Sequence, residues 1–434
     1  MKPSFFNLYL SDEKGETFVI FNALTKAAIK LDKKSKEAIE NGKFDSMEGG
    51  ILEKLKEQGI VAESEIEEMR KFKVLYESTK FNKKKLGFGI VPTYKCNMAC
   101  TYCYQGKKDA LAETMSGETV QSILKFIKRR LKEENADQLI LHFYGGEPLL
   151  EFRKIAVFLK ELKNSITSSL ITTNGSLVTK EVVNELKKYP TVLEVTLAGP
   201  EEIHDKKRAF KNGTGTYRKI IQGLSLAVEN GVSVVLRIDV DEENKLCFDE
   251  LLTDLSKHSF QEFIPLSFRA VAPIAHAMSY PLCLKNKTDL VKLYKKAVEK
   301  GFRVIPEGPN TPFSFCQQQT SGFMMIDPMG DVYCCEGILG ARDQRAGLID
   351  KQGNLKIEYP YFDWLARDPL QIDKCRSCKA LPICCGGCGF IAYLENGTCH
   401  APACFWGGNP EYLEIFIKYQ LYYNNPEKWS FLIQ

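Results

Sequence analysis

No window of the 434-residue sequence approaches eighteen continuous apolar residues, so no membrane-spanning helix is expected. The opening stretch, MKPSFFNLYLSDEKG, lacks an apolar core of signal-peptide length and a small-residue cleavage site, which points to a cytoplasmic protein. Charge of one sign is equally scarce. Lys and Arg number 59 against 55 Asp and Glu, a formal +4, which makes no case for a nucleic-acid binder. At 44% hydrophobic and 26% charged residues, the chain has an ordinary globular composition. Its length suits a central catalytic domain with smaller appendages. Cysteine is the residue in excess. Fifteen of them make a poor disulfide framework in a reducing compartment, and they cluster, three between 96 and 103 and ten between 316 and 404. Cys247 and Cys283 stand apart and read as bystanders.

The first cluster lies in VPTYKCNMACTYCYQ, Val91 to Gln105, where Cys96, Cys100 and Cys103 have C-x3-C-x2-C spacing. Three thiolates in one short loop can hold three irons of a cubane cluster and leave the fourth open to a small molecule. The loop follows an apolar run, Leu86 to Pro92, that reads as a buried strand. It therefore sits at a strand's carboxyl end, where α/β folds place their ligands. The alternatives are cysteines packed as small hydrophobes, or a zinc loop missing its fourth ligand.

These residues resemble the radical S-adenosylmethionine (SAM) enzymes, with Tyr102 at the aromatic position of C-x3-C-x-Φ-C. The resemblance implies that Cys96, Cys100 and Cys103 bind a [4Fe–4S] cluster whose fourth iron is chelated by SAM. Further along, Tyr144-Gly145-Gly146-Glu147-Pro148 matches the family's GGEP segment, and Thr172-Thr173-Asn174-Gly175 is similar to its TTNG segment. Glycines there let the backbone approach a ligand, and Glu147 is expected to accept hydrogen bonds from the methionyl ammonium. The stretch VTLAGPEEIHDKKR, Val195 to Arg208, is similar to the S-x-D-G-P-x-x-x-H-D pattern of peptide and anaerobic sulfatase maturases. Thr196 stands at the Ser position that helps hold SAM. Ala198 replaces the Asp, which removes a polar contact, and His204 and Asp205 follow as structural residues. Arg218, in GTGTYRKI, is a candidate partner for the methionyl carboxylate, its alternative being a solvated helix face. Arg237, in LRIDVDEEN, is a second candidate.

From Leu86 to about Gly301 strand and helix signals alternate. Further strands are expected at Gln138–Tyr144, Ser168–Thr173, Val192–Leu197, Val232–Val240 and Phe263–Val271. Amphipathic helices are expected near Thr119–Asn135, Glu151–Asn164, Lys180–Lys188, Tyr217–Asn230 and Asp249–His258. The fold class is α/β, a partial (β/α)6 TIM barrel over residues 86–305 whose open side would admit a polypeptide. Before it, residues 1–85 form a small α+β unit. Strands at Phe5–Leu10 and Thr17–Phe21 flank the turn Asp12-Glu13-Lys14-Gly15, helices follow at Ala23–Glu40 and Gly50–Gln58, and Gly59 to Val61 returns as a strand. That layout is similar to the winged-helix-like modules that recognise leader peptides; a plain cap on the barrel is the alternative.

The second cysteine field reads C-x13-G-x4-C from Cys316 to Cys335, then C-x2-C-x5-C-x3-C over Cys375, Cys378, Cys384 and Cys388, with Cys404 beyond. It matches the SPASM extension of the same family, placed here at residues 306–410. The resemblance gives Cys316, Cys335 and Cys388 to a nearer auxiliary [4Fe–4S] cluster, and Cys375, Cys378, Cys384 and Cys404 to a farther one. Three clusters in all are implied. Paired zinc ribbons are the alternative, and Cys334 versus Cys335 and Cys399 versus Cys404 stay open. Glu336 stands where sulfatase maturases carry a catalytic Asp, and a carboxylate beside a cluster could take a proton as a new bond forms. Residues 411–434 read as a helical segment packed against the barrel.

The function implied is reductive cleavage of SAM to a 5′-deoxyadenosyl radical. That radical takes hydrogen from a ribosomally made precursor peptide, installing a thioether or carbon–carbon cross-link. A low-potential donor such as flavodoxin or ferredoxin would supply the electron; neither nucleic acid nor membrane is an expected partner. The rivals are oxidation of Cys or Ser to formylglycine, against which the 85 preceding residues and Ala198 argue, and a non-catalytic Fe–S carrier, against which the GGEP segment argues.

Overall fold

The structure is a computed structural model that describes all residues except 13, 45–49, 107–112, 273–279, 287, 307–312, 405–407 and 434. Glu13 of the expected hairpin turn and Gln434 of the expected terminal helix lie outside the described residues. Two compact units emerge: Met1–Asn82 with Gly308–Thr320 and Ala366–Gln434, and Lys83–Glu307 with Ser321–Leu365. No helix of the described residues is long and apolar enough to cross a membrane.

The first unit starts with strands β1 (Lys2–Pro3), β2 (Asn7–Ser11), β3 (Phe18–Asn22), β4 (Ala28–Leu31) and β5 (Val61–Ala62), and helices α1 (Lys33–Glu40), α2 (Ile51–Glu57) and α3 (Glu65–Lys80). Strands β2, β3 and β4 form an antiparallel sheet over a core of Ile20, Ile39, Phe44, Leu55, Ile60 and Val61. The expected helix over Ala23–Glu40 is instead a turn, a strand and a shorter helix. Asn22 is the cause. Its Oδ1 accepts the N–H groups of Leu24 and Thr25 at 3.0 and 2.9 Å, while its Nδ2 donates to Asn7 Oδ1 and the Gly59 carbonyl at 2.9 and 2.8 Å. Lys26 then takes a left-handed φ of 62°, which no helix tolerates. The helix starts only after Asp32, whose carboxylate caps the Ser35 N–H at 2.7 Å. Helix α3 went unread, although Ser64 and Glu67 announce it as a capping box, with the Ser64 hydroxyl accepting the Glu67 N–H at 3.2 Å.

The second unit carries β6 (Lys85–Ile90), α4 (Gly117–Glu133), β7 (Gln138–Phe143), α5 (Phe152–Glu161), β8 (Ile166–Thr173), α6 (Lys180–Leu186), β9 (Thr191–Leu197), α7 (Glu201–Lys207), α8 (Tyr217–Glu229), β10 (Ser233–Val240), α9 (Phe248–Lys257), α10 (Phe260–Phe263), β11 (Leu266–Ala270), α11 (Thr288–Glu299) and β12 (Val304–Ile305). These seven strands are parallel and stand in sequence order in one sheet. A sheet that never reverses strand order has no switch point, so it winds as a barrel rather than a doubly wound sheet. The six strands read from the sequence are all present. Ring contacts of Phe88 with Phe126, Phe143 with Phe158 and Phe268 with Phe248 put these strand residues against the outer helices. Their neighbours in sequence then face the barrel interior.

Strands β13 (Phe323–Ile326), β14 (Asp331–Tyr333), β15 (Gly347–Ile349) and β16 (Leu355–Ile357), followed by α12 (Tyr359–Ala366), were not expected. Strand β13 pairs parallel with β6, and β14 to β16 continue the sheet antiparallel. Residues 321–365 are thus built into the barrel sheet, although they fall within the sequence segment 306–410. The glycines of LGFGI have their reason here. A Cβ on Gly87 would meet the Phe323 ring at 2.5 Å, and one on Gly89 would collide with the Met325 thioether.

Helices α13 (Asp373–Arg376), α14 (Leu381–Cys384), α15 (Gly389–Asn396), α16 (Pro410–Asn424) and α17 (Pro426–Trp429) complete the first unit. The terminal segment, expected against the barrel, packs within the first unit. The Ser11 N–H donates to Glu414 at 3.4 Å, and Lys30 lies 4.5 Å from the Phe431 ring centroid.

Asp327, fully buried before β14, supplies a pH test. Burial, then the nearby Asp331, pushes its carboxyl up to about 7, against hydrogen bonds from the Met329 and Asp331 amides and the Tyr94 hydroxyl. A folded-state pKa above the unfolded value means that the folded chain binds the extra proton between about pH 4 and 7, so this residue's contribution to stability falls as pH rises through that window. The slope of the unfolding midpoint across pH 4–8 is therefore expected to flatten in Asp327→Asn.

Candidate metal centre and active site

The loop after β6 carries Cys96, Cys100 and Cys103, and all fifteen cysteines of the chain are free thiols. Burial pushes the Cys96 thiol up to about 12; the Met98 N–H, 3.4 Å from its sulfur, lowers it, and Glu147, Cys100 and Cys103 raise it further. Burial also raises Cys100, with Arg208 opposing. Cys96 and Cys100, whose buried thiols resist ionisation, need a cation to become thiolates, and cluster iron would supply one. The donor set fits a [4Fe–4S] cluster.

The GGEP loop holds this loop by its main chain. The Gly146 and Glu147 N–H groups donate to the carbonyls of Thr93 and Lys95 at 3.1 and 2.8 Å. Gly145, at φ 136°, and Gly146 leave no room for a side chain, because a Cβ on Gly146 would collide with the carbonyl oxygens of Tyr94 and Lys95. The close approach expected of these glycines is thus to the cysteine loop itself. Pro148, itself buried, opens a 3-10 turn. Glu147, fully buried, accepts Thr173 Oγ1 and the Leu149 N–H on one oxygen (2.7 and 2.9 Å) and the Asn174 N–H on the other (2.7 Å). Burial raises its carboxyl, and these three bonds oppose the shift. One of its roughly four acceptor positions remains, enough for an ammonium. Asn174 donates to Asn97 at 2.8 Å and approaches Cys96 Sγ at 3.9 Å, tying the third loop to the first.

Tyr102 is buried with Ala198 and Val271, and its hydroxyl accepts from Arg208 Nη1 at 3.2 Å. Ala198, standing where the motif has Asp, is therefore part of an apolar wall. Thr196 is buried on β9. His204 accepts the Ala198 N–H at 3.2 Å and meets Thr216 Oγ1 at 3.0 Å; burial, then Arg208, holds it well below the usual histidine range and neutral. Asp205 accepts the Thr216 and Tyr217 N–H groups at 2.7 and 2.8 Å at the start of α8.

Arg218 is not brought together with these residues. Its side chain is 83% exposed and pairs with Glu201 at 2.6 Å. The arginine at the cysteine loop is Arg208, which the sequence reading passed over. Arg208 is the residue at which α7 ends, shortly after the His204-Asp205 pair of the motif. Around it runs a belt of inward-facing polar residues. His142 Nε2 meets Thr172 Oγ1 at 2.9 Å, and Thr172 donates to Glu194 at 3.1 Å. Arg237 lies 3.9 Å from Glu194 and 2.7 Å from Asp239, and Arg208 and Arg269 lie 3.9 Å from Asp239 and Glu194 respectively. Polar residues alternating through strands of a parallel sheet announce such a belt, since both faces are otherwise apolar.

Glu336 follows β14 in a 3-10 turn, and the Cys335 sulfur accepts the Gly337 N–H at 3.4 Å. The Glu336 charge bears on Tyr104, Tyr144 and His142, and the Tyr104 and Tyr144 hydroxyls are hydrogen-bonded to each other. In the first unit, Cys375, Cys378 and Cys404 act electrostatically on one another, and the Gly408 N–H approaches Cys404 Sγ at 3.3 Å. Cys384 ends α14 and Cys388 precedes α15 in that unit, with Cys316; Cys335 belongs to the second.

Comparison with known proteins decides the family of the barrel. Residues 90–255 match the radical SAM superfamily. They are a radical SAM domain. The radical SAM cyclopropyl synthase TigE of Paramaledivibacter caminithermalis is 22% identical over 90% of this chain and 88% of its own length. A serine-type anaerobic sulfatase-maturating enzyme of Bacteroides thetaiotaomicron is 30% identical over 41% of the chain and 45% of its own. Among solved structures, anSMEcpe with bound AdoMet and Cp18Cys peptide aligns at TM-score 0.60 and 20% identity, over 79% of this chain and 99% of that one. Streptococcus suis SuiB bound to S-adenosylmethionine aligns at 0.56 and 16%, over 94% and 100%. These likenesses establish the fold.

Two substitutions test the geometry. Gly146→Ala would force the two loops apart at a cost of about 1–3 kcal/mol, and iron bound per chain and SAM cleavage are both expected to fall. Arg218→Ala removes only a surface pair; the KM for SAM is expected to stay at the wild-type value, and a rise with kcat unchanged would return Arg218 to the SAM site.

Proposed function

We propose that this radical SAM enzyme modifies a ribosomally made precursor peptide, closing a thioether or carbon–carbon bond with the help of two auxiliary [4Fe–4S] clusters. The observation that carries the reading is Glu336, a carboxylate adjoining Cys335 whose charge bears on Tyr104 of the cysteine loop, Tyr144 after β7 and His142 on β7. When bound, SAM and its cluster supply a hydrogen-abstracting carbon radical. The chain's own residues do the rest. Glu147 and Asn174 lock the loops that carry the cofactor, and the buried wall of Tyr102, Ala198 and Val271 excludes water. The belt from His142 to Arg237 presents fixed donors and acceptors to a peptide backbone, and Glu336 takes the proton released as the bond closes.

SuiB has been solved bound to its precursor peptide SuiA, which supports a peptide substrate. The match to a cyclopropyl synthase over most of the chain favours the carbon–carbon branch, since a cyclopropane closes by such a bond. The residues proposed for the clusters are Cys96, Cys100 and Cys103; Cys316, Cys335 and Cys388; and Cys375, Cys378, Cys384 and Cys404. Cys335 is preferred over Cys334 by the register of the motif, and Cys404 over Cys399 by the proline that precedes it in NGTCHAPAC. A flavodoxin or ferredoxin donor and a reducing, cytoplasmic setting complete the proposal.

Formylglycine formation is the competing reading, favoured by the sulfatase-maturase matches. Anaerobically reconstituted protein is expected to hold about twelve irons per chain, falling to about eight when Cys96, Cys100 and Cys103 are all changed to Ala. With dithionite it is expected to form 5′-deoxyadenosine, and a peptide product two hydrogens lighter that no aldehyde trap captures. An aldehyde-reactive product would establish formylglycine instead, and no 5′-deoxyadenosine would leave an electron carrier.

A further inference from the structure

Arg367 is 2% exposed at the centre of the cysteine-rich part of the first unit. Its Nη1 donates to the carbonyls of Cys399 and of Ala401, the latter at 2.8 Å, and its Nη2 to the carbonyl of Gly386. Its Nε has no partner. Those three carbonyls belong to the two loops that carry the C-terminal cysteines. Gly386 lies between Cys384 and Cys388, and Cys399 to Ala401 lead into Cys404. The loops are stitched again where the Ala403 N–H donates to Gly386 at 3.1 Å. On its other side, Arg367's own carbonyl accepts the Tyr76 hydroxyl and Lys80 Nζ at 2.8 and 2.7 Å, so a second buried cation backs the first.

What this guanidinium lacks is an anion. Among the described residues no carboxylate forms an ion pair with it; the nearest acid in sequence, Asp368, caps the Leu370 N–H at 2.9 Å. The groups that bear on it most are the thiols of Cys399 and Cys375, the Tyr76 phenol and the Cys388 thiol. A buried, uncompensated cation costs several kcal/mol, and neutral carbonyls answer only part of its five N–H groups. A four-thiolate [4Fe–4S] cluster carries net negative charge in both oxidation states and would answer it.

We propose that Arg367 is the positioning residue and built-in countercation of the farther auxiliary cluster, on Cys375, Cys378, Cys384 and Cys404. The proposal rests on the auxiliary-cluster reading given above. Its guanidinium fastens the two ligand loops, and its fixed charge favours the more negative, reduced form of the cluster, which raises the reduction potential. That sets the direction of electron flow. The substrate radical gives up one electron as its new bond closes, the proton goes to Glu336, and the farther cluster is the one-electron acceptor, later reoxidised by an external one-electron carrier such as flavodoxin. It is not the reductant of the SAM cluster.

The test is a potentiometric titration followed by electron paramagnetic resonance on the full chain, reconstituted anaerobically, as wild type, Arg367→Gln and Arg367→Lys. With iron and sulfide counted in each, Arg367→Gln is expected to shift one auxiliary midpoint downward and leave the SAM-cluster midpoint in place. Arg367→Lys, which keeps the charge, is expected to stay near wild type. Unchanged midpoints in a fully loaded Arg367→Gln overturn the proposal. Should Arg367→Gln fail to load, Arg367→Lys decides: a wild-type midpoint supports the charge role, and a lowered one overturns it. A wild-type count of only about four irons removes the auxiliary clusters themselves, a separate failure visible before any titration.

Discussion

The cysteine loop owes its shape to a seam of main-chain hydrogen bonds. Thr93 and Lys95 offer carbonyls, Gly146 and Glu147 answer with amides, and the absence of a Cβ at Gly146 lets the two backbones touch. Everything nearer the chemistry hangs from that seam. Glu147 extends it to the third loop through Thr173 and Asn174, and Asn174 returns to Asn97 beside Cys96. Three loops from three parallel strands become one rigid rim. A short flexible loop could not otherwise hold three thiols at one spot, since ordering each residue costs about 1–2 kcal/mol.

Beneath the rim the barrel wall is polar in a way that a packed core is not. Acids and bases alternate from Glu194 through Arg237 to Asp239 and Arg208, so the wall holds charge close to balance while keeping donors and acceptors aimed inward. Such a wall suits a peptide, whose backbone needs partners wherever it is desolvated. Arg367 answers the same problem differently in the other unit. There the cation has carbonyl partners and no acid, and the expected counter-charge is inorganic.

Much of this was legible in the sequence because it is carried by periodicity and fixed spacing. Apolar runs alternating with amphipathic helices announced β6 to β11, and the cysteine, GGEP and TTNG segments fell at their carboxyl ends. What escaped was decided by tertiary contacts. Residues 28–31 pair with β3 because the Asn22 side chain turns the chain, overriding the helical bias of AAIKLDKKSK. Strands β13 to β16, three or four residues each, are too short to show a period. Arg208 was hidden in Lys206-Lys207-Arg208, which reads as a solvated charge run. In fact Lys207 is 3% exposed, paired with Asp241 and Glu243, and Arg208 is buried beside it.

The pairing of β13 with β6 bears on how the protein is made. The first strand of the barrel leaves the ribosome early, yet the face emptied by Gly87 and Gly89 is covered by Phe323 and Met325, from a segment translated long afterwards. Until then β6 has one neighbour and a bare flank of unpaired amides and carbonyls, the kind of edge that recruits foreign strands. The barrel therefore cannot mature vectorially, strand by strand. Its assembly waits on the nascent chain reaching residue 326, and truncation anywhere before that point leaves the strand that leads into the cysteine loop exposed along one side.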